Sequence, residues 1–84
     1  MVTILGHRPV YWECTVDGHS KFWAAQIIEE KKNDKTIYRL VRKWGVIGTE
    51  GQTMEQDFED MYDAERALDR LIWDKENKGY KSVF

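Results

Sequence analysis

The sequence is short of the residues on which disulfides, metal sites and most catalytic centres depend. Its 84 residues include one cysteine, Cys14, and two histidines, His7 and His19. A single cysteine excludes an internal disulfide, and in an apolar stretch it is typical of a small buried hydrophobe. Structural metal sites need clustered cysteines and histidines at defined spacings, which this chain does not supply.

The groups needed for catalysis are also scarce. His19 stands next to Ser20, but adjacent side chains of an extended segment point apart, so we expect a solvated loop histidine and no dyad. The acids of residues 55–65 lack the spacing of a calcium loop and are more typical of a solvated face near a helix N-terminus. The sequence therefore predicts no enzyme, no metal site and no cofactor.

Long apolar runs are absent as well. No stretch approaches the roughly 20 apolar residues that cross a bilayer, and residues 1–12 lack a basic start followed by an apolar run. We therefore expect a cytoplasmic protein with no membrane partner. Residues 1–84 are expected to form one domain, since so short a chain has nothing left for a second core.

Charge is present but unevenly distributed. The net charge of -2 argues against indiscriminate attraction to nucleic acid. Residues 31–43 nevertheless hold six cations against one acid, whereas residues 50–65 hold seven acids and no cation. If folding does not interleave these segments, the surface carries two opposite electrostatic fields.

Alternation of apolar and polar residues predicts an antiparallel sheet of about four strands. The first strand is residues 10–16, with one side formed by Val10, Trp12, Cys14 and Val16. Asp17-Gly18 then provides a turn signal.

Three further strands follow this turn. Residues 21–30 are aromatic and β-branched, although two alanines leave a helix possible on pattern alone. A strand is favoured because the polar turn at residues 31–35 leads at once into the β-rich segment 36–44, which gives a hairpin. Residues 52–58 alternate apolar and polar positions and form the fourth strand.

The C-terminal third changes to helical periodicity. One apolar stripe is formed by Ala64, Ala67, Leu68, Leu71 and Ile72. Asp63 suits the N-cap and Glu65 the first turn. Lys75 and Lys78 suit the last turn, and Gly79 can take the left-handed position that closes a helix. The predicted class is α+β, with one helix packed on one face of the sheet.

Residues 42–52, RKWGVIGTEGQ, contain three glycines around an aromatic residue. A phosphate loop lies between a strand and a helix, whereas these glycines connect two predicted strands, which favours a tight turn. Two interpretations of Trp44 stay open. The ring either fills the core, or lies against a base or sugar while neighbouring cations meet phosphate.

Several segments together resemble the WGR domain, named for a Trp-Gly-Arg tripeptide. This domain is found beside the catalytic region of DNA-break-sensing poly(ADP-ribose) polymerases and in short bacterial proteins. The likeness runs from about residue 10 to about residue 80. It rests on KFW at residues 21–23, WGVIGTEGQ at residues 44–52 and KENKGY at residues 75–80.

The resemblance implies an antiparallel sheet crossed by a helix, and a site that grips a DNA end with Trp44 against the terminal sugar. Val46 replaces the arginine of the family tripeptide and supplies neither charge nor hydrogen bond. Strand alternation puts Arg42 on the side of Trp44 and Lys43 on the other. The predicted nucleic-acid-binding residues are Trp44, Gly45, Arg42, Lys43 and Lys21, with help from cations near the helix C-terminus.

No catalytic polymerase region lies within these residues, so we expect the domain to act by binding. The expected partner is DNA or another nucleic acid, bound weakly and in a salt-dependent manner because few counterions are released. The alternative is a protein-interaction module or homodimer that has lost DNA binding. Four tryptophans favour it, because they exceed what so small a core readily hides.

Overall fold

Five strands and one α-helix form the described part of the chain. The computed structural model describes residues 2–83, with side chains from residue 4 onward. The elements in order are β1 (Val2–Cys14), a short 3₁₀-helix (Val16–Gly18), β2 (Lys21–Lys32), β3 (Lys35–Val46), β4 (Gln52–Phe58), α1 (Met61–Asn77) and β5 (Lys81–Ser82).

The five strands lie in one antiparallel sheet, in the order β4-β3-β2-β1-β5. The helix packs on one face, against β2, β3 and β4. The predicted α+β class is therefore confirmed, with one short edge strand beyond the four that were expected. The other face of the sheet carries no helix.

The first strand is longer than residues 10–16. Its pairing with β2 continues to Val2 past a bulge, where the register shifts between His7 and Val10. Arg8 takes a positive φ of 51° in this bulge. The bulge also accommodates Pro9, because a proline there removes no hydrogen bond from a regular ladder.

The end of the first strand also differs from expectation. Trp12 and Cys14 are buried, and Val10 packs against the core, as the alternation predicted. Val16, however, lies in the short 3₁₀-helix and is exposed. The prediction that Val16 shares the buried side was wrong, because the chain turns away before reaching it.

The predicted β2–β3 hairpin and the fourth strand are confirmed. Lys32 pairs with Lys35, and Asn33 takes a positive φ of 57° in the turn between them. The pairing of β3 with β4 brings Arg39 to 2.8 Å from Asp57. Folding therefore interleaves part of the cationic and acidic segments, and the expected pair of separate fields does not form there.

The core lies between the sheet and α1. It contains Trp12, Trp23, Ala25, Ile27, Leu40, Ala64 and Leu68. The predicted helical stripe is confirmed, since Ala67, Leu71 and Ile72 pack against this cluster. Trp12 and Trp23 stack with ring centroids 5.2 Å apart.

The N-cap of the helix lies three positions earlier than predicted. Asp60 is the N-cap, and its Oδ1 accepts a hydrogen bond from the backbone N–H of Tyr62 at 2.7 Å. Asp63 lies within the first turn, so its assignment as N-cap was wrong, and with it the placement of Glu65 in that turn. The acid in the first turn still favours the helix dipole.

The helix ends in a Schellman motif. Gly79 has a φ of 96°, as predicted for the closing residue. The N–H of Tyr80 donates to the Lys75 carbonyl at 3.1 Å, and the N–H of Gly79 donates to the Glu76 carbonyl at 3.2 Å. Lys75 lies in the last turn, and Lys78 is the C-cap.

The glycine segment is a tight connection between β3 and β4. A Cβ atom at Gly45 would lie 2.7 Å from the Cα atom of Gly51, so the two backbones meet where no side chain fits. Gly51 has a φ of 70°, and a Cβ atom there would overlap the backbone carbonyl of Trp44. The glycines therefore allow the close approach that positions Trp44 at the end of β3.

We predict that Gly51→Ala destabilises the fold far more than Gly48→Ala. Gly48 also has a positive φ, 93°, but a Cβ atom there meets nothing within 4 Å. Gly48→Ala should lower the free energy of unfolding by about 1–2 kcal/mol through backbone strain alone. Gly51→Ala should lower it by roughly a further 1–3 kcal/mol through overlap. Urea denaturation measures both, and equal losses would contradict the steric role of Gly51.

Candidate nucleic-acid interface

Trp44 lies near the end of β3, on the face covered by α1. It pairs with Trp23 of β2 and with Gln52 of β4. The side chain is half-buried and packs against the core. Part of it lines an open cavity of about 270 Å³, together with Arg42 and Met54. Trp44 therefore both supports the core and borders solvent.

Two cations lie beside this tryptophan, and two more line an adjoining cavity. Arg42 and Lys75 line the same cavity as Trp44. Lys75 also lines a neighbouring cavity of about 290 Å³, together with Lys21 and Lys78. Because Lys75 is common to both, the two cavities adjoin. We call the four cations with Trp44 the Trp44 cluster.

The cations of the Trp44 cluster repel one another. Burial and then the charge of Lys78 lower the pKa of the Lys75 ammonium, and Arg42 and Lys21 add to this effect. Asp74 opposes the lowering and forms an ion pair with Lys78 at 3.2 Å. One acid thus offsets only part of the charge of four cations. A bound anion would relieve this repulsion.

Helix capping explains only part of this arrangement. Lys75 and Lys78 favour the C-terminal end of the α1 dipole, a common structural role for cations. Lys21 and Arg42 come from β2 and β3 and have no such role. Lys21 and Arg42 therefore add positive charge beyond what capping of the helix C-terminus explains.

Arg42 differs from the other arginine of β3. Arg39, on the opposite face, forms ion pairs with Glu30, Glu55 and Asp57. Its hydrogen bond with Asp57 raises the pKa of Arg39. Arg42 lies 2.7 Å from the sulfur of Met54 and forms none of the ion pairs seen among residues 4–83. The guanidinium of Arg42 is thus free to pair with an external anion.

An aromatic ring outside the predicted site belongs to the same surface. Tyr80 lines the second cavity, and the Lys75 ammonium lies 5.4 Å from the centre of its ring. Burial is the main cause that raises the pKa of the Tyr80 phenol. The sequence offered a signal for it, because Tyr80 closes the KENKGY segment.

The structure separates the five predicted site residues into two groups. Lys21, Arg42 and Trp44 lie on the α1 side of the sheet, around the two cavities. Lys43 and Gly45 pair with Ala24 and Phe22, and alternation places them on the other face. The expectation that Arg42 rather than Lys43 accompanies Trp44 agrees with this geometry.

Val46 borders the Trp44 cluster. It pairs with Lys21 across the β2–β3 ladder and lies on the same face as Trp44, two residues away. Its side chain is 55% exposed. A longer side chain at this position therefore has open space beside the cations.

Metal-ligand clusters and membrane-spanning helices are both absent from residues 2–83. No three side chains of histidine, cysteine, aspartate or glutamate come together there as metal ligands. Within the same range, no helix is sufficiently long and apolar to span a bilayer.

We predict that Lys78→Met raises the pKa of Lys75. Removing a neighbouring like charge lowers the free energy required to protonate Lys75. Lys43→Met removes a cation from the opposite face and is the matched control, for which we expect no change. A titration followed by carbon NMR of the lysine Cε atoms measures both. An unchanged Lys75 pKa in Lys78→Met would show that the cations do not share a field.

Comparison with known proteins agrees with this architecture. Neither the curated proteins nor the solved structures contain a match to the chain. The sequence model of the WGR domain matches residues 9–83, which extend from the bulge of β1 past the end of β5. Since this match covers almost the whole chain, the protein belongs to the WGR domain family.

Proposed function

We propose that this domain is a non-catalytic module that binds a DNA end or the nucleic-acid backbone through the Trp44 cluster. WGR domains are in general nucleic-acid-binding modules, which supports this class of ligand. The observation that carries the proposal is the gathering of four cations along two adjoining cavities, one of which is lined by the half-buried Trp44. Phosphates pair with the cations, and a sugar or base lies against the aromatic ring.

The charge balance of the domain limits its affinity. The net charge is -2, and Asp74 lies at the site and repels phosphate. Two to four phosphate contacts would give a slope of log affinity against log salt of about -2 to -4. Binding is therefore expected at low salt and is largely lost at high salt.

The position of the charges, rather than their number, is what the proposal requires. We predict that the double variant Arg42→Gln, Lys75→Gln binds a short fluorescent DNA duplex about tenfold or more weakly at low salt. The matched control is Lys35→Gln, Lys43→Gln, which removes the same charge from the face without a helix. We expect this control to bind within about twofold of the unmodified protein.

Fluorescence anisotropy measures both affinities. Equal losses in the two double variants would show that net charge alone governs binding. No binding by the unmodified protein at low salt would also contradict the proposed function. Circular dichroism confirms that each variant is folded, which is expected because none of the four side chains belongs to the core cluster.

We predict that Val46→Arg strengthens DNA binding. The added guanidinium would extend the Trp44 cluster toward solvent and give one more phosphate contact. The expected gain is roughly 3- to 10-fold at low salt, with a salt slope steeper by about one. Val46→Gln, which adds length without charge, is the control and should show little gain. Equal affinities for the two variants would contradict the location of the site.

A further inference from the structure

The face of the sheet without a helix contains a groove. Tyr11, Ala24 and Lys43 form one row across β1, β2 and β3. The small side chain of Ala24 lies between the long side chains of Tyr11 and Lys43, which leaves a depression above Ala24. Two cavities, of about 300 Å³ and about 260 Å³, share these three residues. They form a continuous groove along β2, which we call the Ala24 groove.

The larger cavity of the Ala24 groove is mainly apolar, whereas polar and apolar groups line the smaller one in similar measure. The larger cavity extends toward Pro9 and Val41, and the smaller one toward Phe22 and Gly48. No acidic residue lines either cavity among the residues that the structure describes. Each cavity is at or below the lower limit for small-molecule pockets, so an apolar side chain fits better than a whole ligand.

Lys43 is the one charged residue that lines the groove in the described part of the chain. It forms none of the ion pairs observed among residues 4–83. Arg39, four residues away on the same face, is neutralised by three acids. An unpaired ammonium beside an apolar cavity is complementary to a carboxylate next to an apolar group.

The wall opposite Lys43 is held in place before any ligand binds. Tyr11 stacks on Phe22 with ring centroids 5.9 Å apart, and its hydroxyl donates to Glu13 at 3.0 Å. Burial and then this hydrogen bond raise the pKa of Tyr11. A preformed groove reduces the ordering that binding requires.

Nucleic acid does not suit this face. Among residues 4–83 the groove offers one cation, Lys43, whereas the successive phosphates of a nucleic-acid backbone need several. A single lysine with apolar surroundings instead suits a protein segment, since such segments present alternating charged and apolar side chains.

We propose that the Ala24 groove binds a peptide segment in which one aspartate or glutamate lies next to an apolar side chain. The carboxylate pairs with the Lys43 ammonium, and the apolar side chain occupies the larger cavity. This surface lies on the opposite face from the Trp44 cluster. A peptide and a nucleic acid therefore bind at the same time, and the peptide site does not depend on the nucleic-acid site.

A library of random nine-residue peptides displayed on phage, selected against the full chain, tests this proposal. We expect the enriched peptides to share an acidic residue next to an apolar one. Lys43→Glu should weaken their binding about tenfold or more. Ala24→Leu should also weaken it, because the larger side chain fills the groove without changing any charge. Arg42→Gln, Lys75→Gln is the matched control on the other face and should leave peptide affinity unchanged.

Several outcomes would overturn the proposal. These are the absence of an acidic and apolar consensus, equal peptide affinity of Lys43→Glu, and displacement of the peptide by the short DNA duplex. A dimer of the unmodified chain that Lys43→Glu dissociates in light scattering would instead assign the groove to a second copy. If Ala24→Leu does not fold, the exposed Lys43→Glu variant decides the test alone.

Discussion

The apolar stripe of α1 packs against β2 and β3 in one core cluster, with Leu68, Ile27 and Leu40 almost completely removed from solvent. Successive side chains of a strand point to opposite faces. Because α1 covers one face of the sheet, the side chains of β3 fall into a set that faces the helix and a set on the open face. Trp44 lies on the side of the helix, whereas Lys43 lies on the open side. The end of α1 then adds its own cations to the first set only. The two surfaces thus follow from one packing contact.

The Trp44 cluster has the electrostatic character of a site rather than of a stable surface network. Surface cations are commonly paired with acids, as Arg39 is. In the cluster, Lys21, Arg42 and Lys75 instead remain close together, and burial and then the charges of the neighbouring cations lower the pKa of Lys75. A ligand that supplies negative charge would bind the folded state preferentially and would therefore stabilise it. The cations of the Trp44 cluster would thus couple ligand binding to the free energy of unfolding.

The sequence predicted the secondary-structure elements of this fold better than the tertiary contacts between them. Alternation alone placed Arg42 beside Trp44, because a period of two is a local property. The approach of Lys75 to them depends on which face α1 covers, and no local pattern specifies that. Asp63 and Asp60 are equally good caps by residue type, and in the structure Asp60 is the N-cap. The first half of β1 was missed because a glycine and a bulged proline interrupt its pattern.

The central claim is that nucleic acid lies against Trp44. Each of the four tryptophans gives one indole N–H signal in a proton–nitrogen NMR spectrum. Trp73 is 69% exposed and lies outside the Trp44 cluster, so it reports nonspecific contact. In a titration with a short DNA duplex at low salt, we expect the Trp44 signal to shift most and the Trp73 signal to stay. An unmoved Trp44 signal, or a larger shift at Trp73, would contradict the account.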